Sequence, residues 1–340
     1  MREPAHDRQG PLRKVAKMTM LQKRSASVVS CPVVFGRELF GLLAWLPLLA
    51  ITGALAQIPS GISTEPPPTP AQITRTPNAP LRLNLPTLFV VGDSTARNQA
   101  DLGWGDHLAP YFDTTRINVA NRAIAGRSSR SYIREGAWDN VLAEMKPGDY
   151  LLLQMGHNDS GDLDGPKPRG SLKGLGDETK DVTLLNGQVE TVHTYGWYMR
   201  KYIADTRARQ ATPLLLSLTI RNIWQNGPDG KPHVERDMGY DTDLRQLAVN
   251  EHVAYIDMAA FEADELEVMG PTKTALLFPK DHTHTSPEGA ELATQCVVRA
   301  LREAHSPLAA YLAPDASSKD TGRNATPSAL DKGANTKMER

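Results

Sequence analysis

From residue 87 onward, short unbroken apolar runs alternate with stretches whose apolar residues recur at helical spacing. The runs cover residues 88–91, 117–119, 150–155, 213–220 and 253–258. Rich in Leu, Ile and Val and bounded by polar residues, they predict buried strands rather than half-exposed ones. Between 193 and 209, Tyr195, Tyr198, Met199, Tyr202 and Ile203 fall at i, i+3, i+4, i+7 and i+8, one apolar face of a helix. A second helix follows Asp237, with Tyr240, Leu244 and Leu247 on one side, and a third opens at Ser286-Pro287-Glu288. There a capping hydroxyl precedes a proline at the first helical position and an acid in the first turn. The alternation predicts an α/β domain over residues 87–313, a parallel sheet of about five strands covered by helices on both faces.

The flanks read differently. Residues 1–56 carry a basic head (Arg13, Lys14, Lys17, Lys23, Arg24) before an apolar block at 40–56 that ends Ala54-Leu55-Ala56. This is the layout of a secretory signal peptide with a long basic region, which a start at Met18 or Met20 would shorten. The block is short for a membrane span and contains Pro47, so cleavage after Ala56 is expected, leaving a secreted or periplasmic protein without membrane attachment. Cys31 leaves with the signal and Cys296 stands alone, so no internal disulfide is expected. Residues 57–86, with Glu65-Pro66-Pro67-Pro68-Thr69-Pro70 and further prolines to Pro86, predict an extended, unpacked linker. Residues 314–340 are polar with few large apolar side chains, the composition of a disordered tail. Formal net charge is −1, and −6 once the eight basic and three acidic residues of the first 56 are set aside. Neither value points to nucleic acid as a partner.

The polar clusters fall where open α/β folds place ligands, beyond the carboxyl ends of strands. Gly92-Asp93-Ser94 follows the first run, Gly126-Arg127-Ser128-Ser129-Arg130 the second, and Gly156-His157-Asn158-Asp159 the third. Asp281-His282-Thr283-His284-Thr285-Ser286-Pro287 follows the fifth, after an intervening helical segment. Acyl transfer needs a nucleophile, a base, a group that orients the base, and donors for an oxyanion. Ser94 is the candidate nucleophile, His284 the base, and Asp281 its orienting group. The backbone N–H groups of Ser94 and Gly126 and the Asn158 amide are the candidate oxyanion donors. Taken singly, Gly126 reads as a turn glycine, Asn158 as a helix cap and Asp281 as a solvated acid. In order behind successive strands they read as one site.

The same residues admit other readings. His157, His282, His284 and Asp281 admit a zinc site, but the known zinc spacings are absent and Ser94 would be idle. Arg127 and Arg130 are candidate contacts for substrate carboxylates, with solvated loop charge as the plain alternative. His157 and His282 are further candidate substrate contacts. Residues 169–181, punctuated by glycine, read as a mobile loop beside the cleft. Asn158-Asp159-Ser160 fits the N-glycosylation pattern, and a glycan there would block the oxyanion site, which suits a bacterial chain.

The set Gly92-Asp93-Ser94, Gly126, Gly156-His157-Asn158-Asp159 and Asp281-x-x-His284 resembles the SGNH (GDSL) hydrolases. Gly126-Arg127-Ser128-Ser129-Arg130-Ser131-Tyr132, the Gly-His-Asn-Asp stretch and residues 281–287 resemble, more narrowly, the rhamnogalacturonan acetylesterases. Arg169-Gly170-Ser171-Leu172 and Thr194-Tyr195-Gly196-Trp197-Tyr198 are similar to bacterial members. The resemblance covers residues 87–301. It implies a flavodoxin-like three-layer α/β/α sandwich and a serine-dependent acetylesterase acting on acetylated pectin polysaccharide or oligosaccharide, with no metal or other cofactor. Deacetylation of another glycan such as xylan, or a lipase or thioesterase on the same scaffold, are the alternatives. No apolar lid is visible and aromatic content is 6%, which weighs against a lipid groove. A sugar-binding module without catalysis would need a broken constellation, and this one is whole.

Overall fold

Every residue of the first strand, β1 (Thr87–Val91), is buried, and the sheet grows outward from it. A computed structural model describes residues 80–98 and 101–314. The expected signal peptide, most of the linker and all but the first residue of the tail lie outside the described residues. After β1 come α1 (Trp104–His107), β2 (Asn118–Asn121), α2 (Ser129–Arg134), α3 (Ala137–Glu144) and β3 (Tyr150–Leu153). A hairpin of β4 (Thr179–Thr183) and β5 (Val189–His193) leads into α4 (Tyr195–Ala208) and β6 (Thr212–Leu216). A second hairpin, β7 (Trp224–Asn226) and β8 (Pro232–Val234), precedes α5 (Asp241–Asn250), β9 (Ala254–Ile256), α6 (Met258–Leu277) and α7 (Pro287–Glu303). The five-stranded sheet runs β2-β1-β3-β6-β9 with every pair parallel. That is the flavodoxin-like order, whose switch point lies between β1 and β3.

Side-chain alternation along the strands makes three layers. Leu88, Val90, Leu152, Leu214 and Leu216 share a core with Val297 and Leu301 of α7. The intervening residues Phe89, Val91, Leu151, Leu153 and Leu215 pack on the other face, against Trp138, Tyr202 and Leu244 of α3, α4 and α5. A strand that is apolar on both faces cannot sit at the surface, so the continuous runs dictate helices on each side. The five α4 residues read as one face are all buried. Ser286 caps α7, its Oγ accepting from Gly289 N at 3.2 Å. Within α6, Gly270 at φ 76° and ψ 164° breaks the helix just before Pro271.

A buried glutamine gathers the carboxyl ends of the strands. The Gln154 Oε1 accepts from Trp104 Nε1 at 2.8 Å and Thr95 Oγ1 at 3.1 Å, while Nε2 donates to Ser217 O at 2.6 Å. The loops after β1, β3 and β6 are thereby tied together directly beneath the candidate site.

Two expectations change. The packed chain begins before residue 87: Leu81 lies against the core, and Arg82 exchanges backbone hydrogen bonds with the Asn118 side chain at 3.0 and 2.9 Å. Lys146 Nζ donates to Leu85 O at 2.7 Å. Side chains some 30 to 60 positions away thus satisfy this backbone, which local proline density cannot reveal. The 169–181 stretch is held rather than loose. Gly170 O accepts from Arg130 Nη1 at 2.8 Å, Ser171 Oγ donates to Asp159 Oδ1 at 3.0 Å, and residues 179–181 already belong to β4. Gly170 is required by close approach, since a Cβ there would sit 2.0 Å from Gly161 O.

Candidate active site

Ser94 follows β1 by two residues of turn. Asp93 Oδ1 accepts from Thr95 N at 2.8 Å and Thr95 Oγ1 at 2.9 Å, which fixes the turn around the serine. Asp93 is fully buried and its Oδ2 has no protein partner among the described residues; burial raises its pKa. Ser94 itself is 9% exposed, and its Oγ lies 2.9 Å from His284 Nε2. The other ring nitrogen, Nδ1, lies 2.8 Å from Asp281 Oδ2. These partners assign the neutral tautomer: Nδ1–H donates to the carboxylate and Nε2 accepts from the serine hydroxyl.

The loop that carries the histidine is braced from within. Asp281 Oδ1 accepts from Thr283 N at 2.7 Å and His284 N at 2.8 Å. Partial burial alone would raise the Asp281 pKa, but the His284 ring and the two backbone N–H groups bring it down to about 2. Asn222 N, beyond β6, donates to His282 O at 2.8 Å and anchors the loop to the sheet. His282 is exposed, so the bend that aims His284 at Ser94 turns its neighbour's ring toward solvent.

Three donor groups remain for an oxyanion. Neither the Ser94 nor the Gly126 backbone N–H donates to a protein acceptor among the described residues. Gly126 sits at φ 77°, a left-handed conformation that glycine adopts without strain. Asn158 Nδ2 donates to Arg127 O at 2.8 Å, which fixes the amide and leaves its second hydrogen for another acceptor.

The structure corrects two of the expected substrate contacts and constrains a third. Arg130 is 1% exposed, and its Nε and Nη2 meet Glu190 at 2.8 and 2.6 Å while Nη1 donates to Leu163 O and Gly170 O. It pins the β4–β5 hairpin to α2, and a buried guanidinium with four bonds has no reach toward substrate. His157 is also buried, with Nε2 2.9 Å from Thr219 Oγ1; burial, aided by the charges of Arg221 and His284, lowers its pKa to about 3. It stays neutral and faces inward. Arg127 is half-buried and paired with Glu135 at 2.8 Å.

Sequence reasoning passed over the residues that hold these parts in place. Asp159 is fully buried, accepting from the backbone N (3.2 Å) and hydroxyl of Ser129 and from Ser171 Oγ. Burial outweighs those bonds and raises its pKa to about 6. Arg221 follows the fourth sheet strand and donates from Nη2 to His157 O at 3.2 Å. The cue for it was its place, since Arg221-Asn222 is the polar cluster ending the run at 213–220.

The chain is similar to known proteins. Residues 90–292 match the model of the GDSL-like lipase/acylhydrolase family. A rhamnogalacturonan acetylesterase from Emericella nidulans is 34% identical over 215 residues, covering 63% of this chain and 84% of the relative. The probable rhamnogalacturonan acetylesterase YesY of Bacillus subtilis is 29% identical, covering 65% of this chain and 94% of YesY. The crystal structure of Bacillus subtilis YxiM superposes with a TM-score of 0.51 at 25% identity, over 64% of this chain and 56% of that one. The chain therefore belongs to the GDSL-like lipase/acylhydrolase family, and it is a serine-dependent esterase.

Proposed function

We propose that this protein is an exported carbohydrate esterase that removes O-acetyl groups from rhamnogalacturonan, with Ser94 as nucleophile. The observation that carries the chemistry is the unbroken line Ser94 Oγ–His284 Nε2 and His284 Nδ1–Asp281 Oδ2, at 2.9 and 2.8 Å. The names of the two acetylesterase relatives support the substrate, and the basic and apolar pattern of residues 1–56 supports export.

As Ser94 Oγ attacks the acetyl carbonyl, its proton passes to His284 Nε2. The imidazolium that forms is held at Nδ1–H by the Asp281 carboxylate, which stays ionised throughout the working range because its pKa is near 2. Charge develops on the carbonyl oxygen, where Ser94 N, Gly126 N and the second Asn158 amide hydrogen receive it. Collapse expels the sugar hydroxyl, protonated by His284, and leaves acetyl-Ser94. Water, deprotonated by the same ring, then releases acetate and restores the serine.

The test is acetate release from acetylated rhamnogalacturonan beside acetylated xylan at matched acetyl content. A clear preference for rhamnogalacturonan is expected; equal or faster release from xylan overturns the substrate assignment. A chromogenic ester series should fall steeply beyond acetate, and a preference for long acyl chains would move the protein to the lipid-hydrolysing branch. Export is tested by deleting residues 1–56, which should retain the protein inside the cell.

A further inference from the structure

Two arginines bonded to backbone carbonyls of the site have no carboxylate in contact among the described residues. Arg127, Arg130, Arg134, Arg200, Arg236 and Arg245 are each paired with a carboxylate. Among the described residues, Arg221 and Arg169 are not: no carboxylate oxygen lies within 4.0 Å of either guanidinium, although both are partly buried. Each is held by one bond to a backbone carbonyl of the site. Arg221 Nη2 donates to His157 O at 3.2 Å, and Arg169 Nη1 donates to Gly126 O at 3.1 Å. The Arg221 Nε is buried without a partner. A guanidinium offers five N–H donors, so most of the capacity of each is unspent.

Their placement follows from the sheet. Gly126 follows β2, Ser94 follows β1, Asn158 follows β3 and Arg221 follows β6, and those four strands are neighbours in that order. The two arginines are thus anchored on opposite sides of Ser94, Arg169 at Gly126 behind β2 and Arg221 at His157 behind β3. The strands behind their anchors are two spacings apart, ~10 Å at the usual strand separation. A partly buried guanidinium with no carboxylate in contact and most of its donors unspent suits a carboxylate arriving with the ligand, which its planar fork can bind through two bonds. Burial draws the Arg221 pKa down, and the neighbouring Asp93 and Asp281 only partly offset it.

We propose that Arg221 and Arg169 form two carboxylate-binding subsites flanking Ser94, which hold uronate groups of an anionic glycan on either side of the acetylated sugar. The proposal rests on the reading of this site as a glycan esterase and names the chemistry by which it would select a polyuronide. It gives to Arg221 and Arg169 the role that the paired Arg127 and the buried Arg130 do not fill.

The competing role is internal, with each arginine merely steadying the carbonyl it touches. Calorimetric binding of deacetylated rhamnogalacturonan oligosaccharides separates the two, using the free acid and its carboxyl methyl ester on each protein. The ratio of the two affinities compares ligands on one variant, so disturbance of His157 or Gly126 cancels. Wild type should bind the acid about tenfold more tightly than the ester, as for a charge-assisted bond. Arg221→Gln and Arg169→Gln should each cut that ratio by about threefold, and the double variant should bring it to one. If Arg221→Gln fails to fold, Arg221→Lys should keep part of the ratio, since it keeps charge but not the fork. A wild-type ratio of one, a ratio unchanged in the variants, or no binding of either form overturns the proposal. Persisting charge discrimination without acetate release from acetylated rhamnogalacturonan would overturn the substrate reading and leave the subsites standing.

Discussion

Around Asp281 the polar groups stay open to solvent; around Asp159 they are closed in. The Asp281 side chain is 44% exposed, while Asp159 is fully buried. Asp281 faces a histidine and two backbone N–H groups, which stabilise its anion and leave its pKa near 2. Asp159 faces Ser129 and Ser171, and burial pushes its pKa to about 6. One aspartate prepares an imidazole to accept a proton, and the other ties the start of α2 and the 171 loop to the end of β3. Residue type is the same in both. The partner decides whether a carboxylate serves chemistry or architecture, and the arginines divide by the same rule. The two regions should therefore fail differently when broken: the first in rate with the fold kept, the second in stability.

The largest effect belongs to the open region. Ser94→Ala and His284→Ala should each lower kcat by at least about 10³-fold, the scale of losing a triad member, with the melting temperature held within a few degrees. A serine-directed phosphonate should label Ser94 in wild type and nothing in the alanine variant. His282→Ala should retain most activity, because its ring faces solvent; if it is as inactive as His284→Ala, the base has been misassigned. Next comes Asn158→Ala, expected to cost about 10²–10³ in kcat with little change in KM, the signature of a donor used in the transition state. Asn158→Asp should be worse, since its carboxylate would oppose both the oxyanion and the Arg127 carbonyl. If the residue were only a cap, aspartate would be nearly harmless and alanine would cost about 1 kcal/mol of stability.

The closed region should give the opposite result. Arg130→Ala leaves two carbonyls without their donor and Glu190 with only the longer Arg134 contact at 3.5 Å, a loss of about 3 kcal/mol at the lower end for a buried pair, because Glu190 keeps that contact and some access to water. Urea unfolding measures it. A stable Arg130→Ala protein with a large rise in KM for substrate would return Arg130 to the binding site.

What could be read from the chain divides along the same line. The strands, the α4 face and the α7 cap were legible because each rests on local periodicity or on a cap within three residues. The Ser94, Asn158, Asp281 and His284 positions were legible because each ends an apolar run or stands in a compact motif. Arg130, Asp159 and Gln154 were not, since their partners lie some 12 to 63 positions away and only folding brings them together. The β4–β5 hairpin was missed for another reason. Its turn carries Asn186-Gly187, with Gly187 at φ 82°, but the strands Thr179–Thr183 and Val189–His193 are mostly exposed and polar, so no apolar run announces them. Arg221 shows a third case, where the cue was present but a single charged residue after a strand looks like ordinary loop.

The smallest effects sharpen the comparison most, because the two aspartates should respond to pH with opposite sign. Asp159 is raised from 3.8 to about 6, so between those values the folded protein keeps a proton that the unfolded chain gives up. Its contribution is fully present below pH 3.8 and is lost as pH rises through about 6. Asp281 is lowered from 3.8 to about 2, so its contribution is present above 3.8 and lost as pH falls through about 2. Solvent screening of an exposed pair keeps the Asp281 effect below about 1 kcal/mol. Asp241 and Glu262, raised by burial to about 6 and about 8, tilt wild type in the same direction as Asp159. The informative quantity is therefore the difference between variant and wild type at each pH. By urea unfolding from pH 3 to 8, Asp159→Asn should lose relative stability at the acid end and regain it as pH rises through about 6. Asp281→Asn should instead fall slightly further behind wild type as pH rises from 3 to about 4, with no further change above that. Parallel curves for the two variants would mean that the carboxylates occupy the same kind of environment, and the contrast between a chemical and an architectural aspartate would fall.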